Sequence, residues 1–275
     1  LQAMTDSIAR RGPDAGGSWL DHLKGVALGH RRLAIIDLSE AGAQPMVSCD
    51  GRYVITYNGE VYNFEDIRQQ LKSEGHQFEW RGHSDTEVIL AAISSWGLSR
   101  ALKSLNGMFA FALWDRLEER LTLARDRMGE KPLYYGWIGK GANRVLLFAS
   151  ELSALRAYPQ FTPEIAPEST GLLLRYGHIP DPHCIYQNIY KLRPGTSITY
   201  AAHGSEQLDV YWDTINEYVS AQENPFSGTP QEAVDELERL LLKAVSRQSV
   251  ADVPLGTFLS GGIDSSAVVS RMADI

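Results

Sequence analysis

Cysteine is scarce in this chain: Cys49 and Cys184 are the only two in 275 residues. Two cysteines cannot build a disulfide framework, so the sequence predicts a reducing, cytoplasmic setting. The seven histidines show neither H-x-x-x-H spacing nor clustering with cysteine, which removes the common zinc sites. Long apolar runs are missing as well. None approaches the ~20 residues needed to cross a bilayer, and no charged-then-apolar signal segment opens the chain. Nor is there a basic excess: 34 acidic against 26 basic residues give a formal net charge of -8. Such a chain is not built to coat nucleic acid or an anionic membrane. Repeats and low-complexity tracts are absent. The balance of 44% hydrophobic and 22% charged residues is that of a globular protein with a well-buried core, in one large domain or two smaller ones.

What is present falls into short periodic segments. Leu1, Met4 and Ile8 keep helical spacing up to the Gly12-Pro13 punctuation. Residues 26–38 read as two strands or one bent strand. Residues 53–57 form the strongest strand signal, and Asn58-Gly59 is the best turn dipeptide. Asn63 is placed to cap a helix reaching about Gly75. Ser84-Asp85-Thr86-Glu87 reads as a capping box opening a helix to Trp96. Short strands are expected at 108–114, 121–124, 133–137 and 145–149, then a helix near 168–175 and strands near 197–200 and 210–212. Strands grouped around a few helices, without β-α-β alternation, indicate an antiparallel α+β domain. The pattern weakens over 214–228. Thr229-Pro230-Gln231-Glu232 is a second capping box, opening a helix in which Val234, Leu237, Leu240, Leu241, Ala244 and Val245 share a face. The expected organisation is a first domain over 1–213, a linker over 214–229 and the start of a second domain over 230–275.

Near the C-terminal end, Phe258-Leu259-Ser260-Gly261-Gly262-Ile263-Asp264-Ser265-Ser266 reads as the end of a strand over 253–259, a glycine–hydroxyl loop and a helix start. Adjacent glycines let successive N–H groups point into one concavity, and free N–H groups at a helix start favour an anion. Ser260, Ser265 and Ser266 add hydroxyl donors. Asp264 fits a phosphate site once a Mg²⁺ ion lies between carboxylate and phosphate. The loop lacks the spacing and the lysine of a Walker A sequence. Its ordinary alternative is a serine-glycine turn with an N-cap.

Three polar features interrupt the first domain. Arg32 sits in a strand-like run, Asn58-Gly59-Glu60 follows the strongest strand, and Asp85 stands at a helix start. An arginine fork suits a carboxylate, an aspartate suits an ammonium group, and Asn-Gly at a strand end suits an oxyanion. Together they could hold a free α-amino acid and activate its side-chain amide. Taken singly, each has a plain reading: a surface ion pair, a hairpin turn, part of an N-cap.

The order of motifs resembles the glutamine-hydrolysing asparagine synthetase family, which joins a class II glutamine amidotransferase domain to an ATP-pyrophosphatase domain. The resemblance is carried by Arg11-Gly12-Pro13-Asp14, Arg32-Leu33-Ala34-Ile35-Ile36-Asp37, Ala43-Gln44-Pro45, Tyr57-Asn58-Gly59-Glu60-Val61-Tyr62-Asn63 and Ser84-Asp85-Thr86-Glu87. It continues through Asn106-Gly107-Met108-Phe109, Arg125-Asp126-Arg127-Met128-Gly129-Glu130-Lys131-Pro132, Ala149-Ser150-Glu151, Leu192-Arg193-Pro194-Gly195 and the Ser260–Ser266 loop. The resemblance implies an N-terminal-nucleophile hydrolase type four-layer αββα sandwich of antiparallel sheets. The beginning of an α/β ATP-pyrophosphatase domain, adenine nucleotide α-hydrolase-like, would follow it. Arg32 would bind the α-carboxylate of glutamine, Asp85 its α-amino group, and Asn58 with the Gly59 N–H would form the oxyanion hole. Glu60 would lie beside the substrate, and the backbone at Ile36 would line the pocket. Ser260, Gly261, Gly262, Ser265 and Ser266 would hold pyrophosphate, Asp264 the Mg²⁺, and Phe258 and Leu259 would flank ATP. The implied reaction makes ammonia from glutamine and transfers it to an adenylated carboxylate, aspartate first. No prosthetic group is implied, and homodimers are common among relatives.

The pattern departs from the family in its nucleophile, a cysteine at the extreme N-terminus whose own amine acts as base. Leu1 is not that residue, and neither Cys49, in a polar turn, nor Cys184, beside His183, has a setting that would activate it. The sequence therefore reads as a fragment without the nucleophile and with most of the synthetase domain missing. Arg10 is a smaller departure, since histidine is frequent before Arg-Gly-Pro-Asp in relatives. Two alternatives share the architecture: an amidotransferase acting on another carboxylate, such as one on a surface sugar, and a β-lactam-forming synthetase without glutaminase activity.

Overall fold

Two nine-residue antiparallel strands, at 53–61 and 107–115, form the centre of the first unit. The computed structural model describes residues 1–201, 204–273 and 275. It divides into two units, residues 1–34 with 39–212 and residues 35–38 with 213–275. In chain order the first unit holds α1 (Gln2–Ser7), β1 (Ala15–Asp21), β2 (Val26–Arg32), β3 (Met46–Val47) and β4 (Tyr53–Val61). Then come α2 (Phe64–Ser73), α3 (Asp85–Trp96), α4 (Leu98–Ser104), β5 (Gly107–Asp115), β6 (Arg120–Arg125), β7 (Tyr134–Ile138) and β8 (Val145–Ala149). It closes with α5 (Leu152–Arg156), α6 (Pro167–Tyr176), β9 (Tyr190–Lys191), β10 (Thr196–Ala201) and β11 (Glu206–Val210). A six-stranded sheet runs β11-β10-β6-β5-β4-β3, accompanied by a β8-β7-β9 sheet and the β1-β2 hairpin.

Side chains alternate between strand faces, so each sheet sorts its residues by parity. Val54, Ala110, Ala112, Trp114, Leu123 and Ile198 face a core shared with Leu28 of β2 and with Trp137, Leu146 and Phe148 of the smaller sheet. On the other face of the large sheet Ile55, Tyr57, Val61, Phe109 and Phe111 are buried, as are Ile67 and Leu71 of α2 and Val88, Ile89 and Ile93 of α3. Helix α3 lies against β4. Beyond the smaller sheet, Leu147 packs with Leu155, Phe161, Cys184 and Ile189, with Met4 of α1 alongside. Helix, sheet, sheet, helix: this is the expected four-layer αββα sandwich.

Several local expectations change. Asn58-Gly59 is not a turn. Strand β4 runs through it to Val61 because β5 pairs along its whole length, from Tyr53↔Asp115 to Val61↔Gly107. Glycine is needed there for close approach, since a Cβ at Gly59 would lie 2.2 Å from the Met108 carbonyl oxygen. Asn63 stands at the start of α2 but makes no side-chain cap. Its amide instead ties two loops, donating to Ser104 O (3.0 Å) and accepting from Asn106 N–H (2.8 Å). Ser84 does cap α3, accepting from the Glu87 N–H, while the Glu87 carboxylate accepts from the Arg81 and Gly82 N–H groups. The strand at 15–21 escaped notice because its Ala-Gly-Gly-Ser start carries little β propensity.

The second unit, taken by itself, contains α7 (Thr214–Glu223), α8 (Pro230–Gln248) and α9 (Ile263–Met272). A helix thus occupies much of the stretch read as linker. Asp213 caps it, accepting from the Ile215 and Asn216 N–H groups at 3.0 Å. The Thr229/Glu232 capping box of α8 forms as expected. Of that helix's apolar stripe, Val245 is buried whereas Val234 and Leu237 are exposed. Residues 253–259 are not a strand. Their backbone has no ladder partner among the described residues, Pro254 lacks an N–H, and Phe258 is fully exposed. The short segment 35–38 is held by Asp252, whose N–H donates to Ile35 O (2.9 Å) and whose carboxylate accepts from the Asp37 N–H (2.7 Å). No helix among the described residues is long and apolar enough to cross a membrane.

Candidate active site

The candidate site is built on one edge of β4. Opposite Gly59 stands Phe109, whose N–H donates to the Asp126 carboxylate (3.0 Å) and whose carbonyl accepts from the Asp126 N–H (2.8 Å). Phe109 therefore spends both backbone groups on the β6 side, and the Gly59–Phe109 pair is a non-hydrogen-bonded one. Tyr57, Gly59 and Val61 consequently turn their N–H groups away from β5, toward the outer edge. Tyr57 N–H donates to Gln44 Oε1 (2.7 Å) and Val61 N–H to Asp85 Oδ2 (2.9 Å). Between them the Gly59 N–H has no acceptor among the described residues. An edge donor held open between two satisfied ones is what stabilisation of an oxyanion requires.

Asp85, the first residue of α3, is buried. Its Oδ2 also accepts from the Tyr57 hydroxyl (2.7 Å), and Oδ1 from the Thr86 hydroxyl (3.3 Å). Burial pushes its carboxyl above the usual aspartate range against these hydrogen bonds. Tyr57 is pushed well up by burial and by Asp85. Glu60 is raised to about 7, chiefly by burial, then by the Asp85 charge, with Lys131 pulling the other way. Lys131 is positioned by a hub the sequence showed only as a motif. The fully buried Asp126 accepts from the Met128, Glu130 and Lys131 N–H groups (3.1, 2.9 and 3.0 Å). Arg125 donates to the carbonyls of Lys131, Leu192 and Gly129 and to Asp181 (2.7, 2.6, 2.6 and 2.9 Å).

Arg32 ends β2 and donates to Ser39 O (2.8 Å). The Arg-Gly-Pro-Asp motif fixes this strand end. Gly12 abuts the Arg31–Arg32 peptide, where a Cβ would come within 2.5 Å of backbone. Asp14 N–H donates to Arg32 O (3.0 Å), and the Asp14 carboxylate accepts from the Ala34 N–H (2.9 Å). Arg11 reaches Glu151 (2.7 Å), and beside it Ser150 Oγ accepts from Asn58 Nδ2 at 3.4 Å. Strands β2 and β4 are joined directly by Thr56 Oγ1 donating to Gly29 O (3.1 Å). The Arg-Gly-Pro-Asp motif thus touches Arg32 through Asp14 and, through Arg11 and Glu151, the neighbour of Asn58's partner Ser150, while Asn58, Gly59, Glu60 and Asp85 share the β4 end. His30, next to these arginines, is lowered to about 4 by burial and by Arg32. Sequence reasoning missed Gln44, Tyr57 and Ser150 as site residues, although each stood inside a quoted motif.

Ile36 belongs to the segment pinned by Asp252. Cys184 is buried, with its thiol pushed up by that burial, and Cys49 is an exposed residue at the rim of a cavity of about 320 Å³ that Phe78, Trp80 and Arg81 also line. In the second unit, Gly261 has φ of 80°, Gly262 caps α9, and Ser260 Oγ lies 2.9 Å from Ser265 Oγ. Ser265 and Ser266 hydroxyls donate to Gly262 O (3.1 and 2.8 Å). The first N–H groups of α9 and the Asp264 carboxylate are left at the surface. Phe258 and Leu259 are exposed beside them.

Fold and site together define an antiparallel α+β sandwich with an open polar edge on β4. Residues 1–212 match the family described as glutamine amidotransferase domain, and the chain belongs to that family. Residues 236–275 match the family described as asparagine synthase. Asparagine synthetase [glutamine-hydrolyzing] 3 of Bacillus subtilis is 40% identical over 99% of this chain and 42% of its own length. Putative asparagine synthetase [glutamine-hydrolyzing] 2 of Methanocaldococcus jannaschii is 33% identical over 100% of this chain and 54% of its own. Amidase chry2 of Gibberella zeae is 36% identical over 100% of this chain and 39% of its own. The chain spans about half, or less, of the length of the relatives it matches.

Proposed function

We propose that residues 1–213 bind glutamine and release its amide as ammonia, and that the protein transfers this ammonia to an ATP-adenylated carboxylate, aspartate in the leading reading. The products would be glutamate, asparagine, AMP and pyrophosphate. The observation that carries the reading is the open Gly59 N–H, set between two satisfied neighbours and beside Asn58 and Asp85. Asn58 Nδ2 and the Gly59 N–H would receive the oxyanion, Arg32 the α-carboxylate and Asp85 the α-ammonium. Glu60 would lie against the substrate. Amide hydrolysis by this scheme needs a thiolate. Neither the buried Cys184 nor Cys49 is joined to the site by a described contact, so the reading assigns the thiol to neither.

The Ser260–Ser266 loop would receive a pyrophosphate on an exposed glycine turn and the N–H groups at the start of a ten-residue helix, with Ser265 and Ser266 rotating their hydroxyls from the Gly262 carbonyl to the phosphate. Phe258 and Leu259 would flank the nucleotide. Among the described residues no three His, Cys, Asp or Glu side chains converge on a metal position. Asp264 would therefore hold Mg²⁺ jointly with phosphate oxygens and water, as that ion commonly allows. ATP would supply the adenylyl group of the acyl-adenylate (a mixed anhydride) and leave pyrophosphate, which this chain's residues would hold.

The test uses the full-length gene product with glutamine, ATP, Mg²⁺ and aspartate. Glutamate, asparagine and AMP forming in equal amounts supports the proposal, and no glutamate release contradicts it. The amidase-named relative favours a second reading in which the glutaminase is unchanged and the acceptor is another carboxylic acid. Glutamate without asparagine, with AMP appearing only when a different acid is added, selects it.

A further inference from the structure

The ladder on the outer edge of β4 is begun by a strand and continued by a side chain. Strand β3 pairs Met46 with Ile55 and Val47 with Val54. In that register the next outward-facing positions of β4, Tyr57 and Gly59, would face residues 44 and 42. The chain does not continue as a strand there: residues 40–42 form a 3-10 turn. Gln44 nonetheless fills the place opposite Tyr57 with its carboxamide, accepting the Tyr57 N–H at 2.7 Å. Its Nε2 reaches Thr86 Oγ1 at 3.5 Å, and Thr86 donates on to Asp85 Oδ1. Asp85 closes the circuit at Val61 N–H and at the Tyr57 hydroxyl. The Gln44 backbone is itself fixed, because its carbonyl oxygen lies against Gly17 of β1, where a Cβ would approach to 2.1 Å.

We infer that Gln44 is a positioning residue of the glutaminase site. Its Oε1 ends the backbone ladder one position short of Gly59, so that the Tyr57 N–H is satisfied and the Gly59 N–H alone is left open to a reacting carbonyl. An alkyl side chain at position 44 would leave the Tyr57 N–H unpaired or drawing in water, which loosens the strand that carries the donor aimed at the oxyanion. That loss is felt in the transition state more than in the bound substrate, so it falls on kcat rather than on KM. The inference rests on the glutamine-hydrolysis reading.

The test is steady-state glutamate release by the full-length protein and its Gln44→Leu and Gln44→Glu variants, with thermal unfolding of each. Gln44→Glu keeps an oxygen opposite the Tyr57 N–H. Expected is a kcat about 10- to 100-fold lower for Gln44→Leu, the size of one lost oriented hydrogen bond. Its KM for glutamine should stay within about threefold, and Gln44→Glu should recover most of kcat. Unchanged kcat in Gln44→Leu overturns the inference. So does equal loss in both variants, or a loss that tracks a lowered unfolding temperature with KM raised in step. Wild-type protein that releases no glutamate defeats the glutamine reading itself, which is a separate outcome.

Discussion

Gly59 and Phe109 face each other across β4 and β5 at a separation that excludes a side chain on the glycine. A Cβ at position 59 would lie 2.2 Å from Met108 O and 2.7 Å from the Phe109 Cα, both backbone atoms of a central strand that cannot swing aside. Gly59→Ala is expected to lower stability by about 3 kcal/mol, at the upper end of core overpacking. Urea unfolding of the chain measures it; a midpoint shift too small to resolve would mean that the strands separate freely here.

Asp126 is fully buried and accepts four backbone N–H groups, those of Phe109, Met128, Glu130 and Lys131. Asp126→Ala strands these donors, and a cost of about 3–5 kcal/mol follows from removing one side of a buried charged network. Denaturant melts compare the variant with wild type, and a change below about 1 kcal/mol would show that water replaces the carboxylate.

Glu60 titrates near 7 because burial and the Asp85 charge disfavour its ionised form. A raised carboxyl pKa means that the folded state binds the proton more tightly than the unfolded one. Stability from this group is therefore present below the ordinary glutamate pKa and is lost as pH rises toward 7. Melting temperatures of wild type and Glu60→Gln should diverge in favour of the variant across that window and run parallel above it. Lys131 opposes the shift, so Lys131→Met should move the upper end of the window to higher pH. Parallel curves from pH 4 to 8 would contradict both statements.

The antiparallel α+β character of the first unit was legible because period-two alternation marked most strands of the large sheet and the capping residue Ser84 marked a helix, whereas the four-layer sandwich followed only from the resemblance carried by the ordered motifs. Strand pairing was less so. Asn58-Gly59 has the residues of a hairpin turn, yet no local signal reveals that β5, about fifty residues later in sequence, pairs straight past it. The site residues Arg32, Asn58, Gly59 and Asp85 were legible only through their ordered motifs. Gln44 stood in Ala43-Gln44-Pro45 without an assigned role, because a side chain that substitutes for a ladder strand has no sequence signature. In the second unit, residues 253–259 carry β-prone side chains but form no strand, since a strand is defined by partners that its own sequence does not contain.

Asp85 binds the edge of β4 through one carboxylate: Oδ2 accepts from the Val61 N–H and the Tyr57 hydroxyl, and Oδ1 from the Thr86 hydroxyl. Asp85→Asn keeps an acceptor for the Tyr57 hydroxyl and the Val61 N–H, so the fold should persist with a small change in melting temperature. Losing the charge removes the partner proposed for the α-ammonium. A drop of about 10- to 100-fold in kcat/KM for glutamine is expected, the size of a charge-assisted hydrogen bond. An unaltered kcat/KM would assign Asp85 to structure alone.

The central claim is that the edge of β4 at Asn58 and Gly59 stabilises the oxyanion formed during glutamine hydrolysis. Its most direct test is glutamate release by the full-length protein carrying Asn58→Ala, compared with wild type at saturating glutamine. The account predicts a kcat lower by about 10²–10³-fold, the cost of removing one oxyanion donor, with the fold intact by circular dichroism. A folded Asn58→Ala protein that turns over glutamine at the wild-type rate would contradict it.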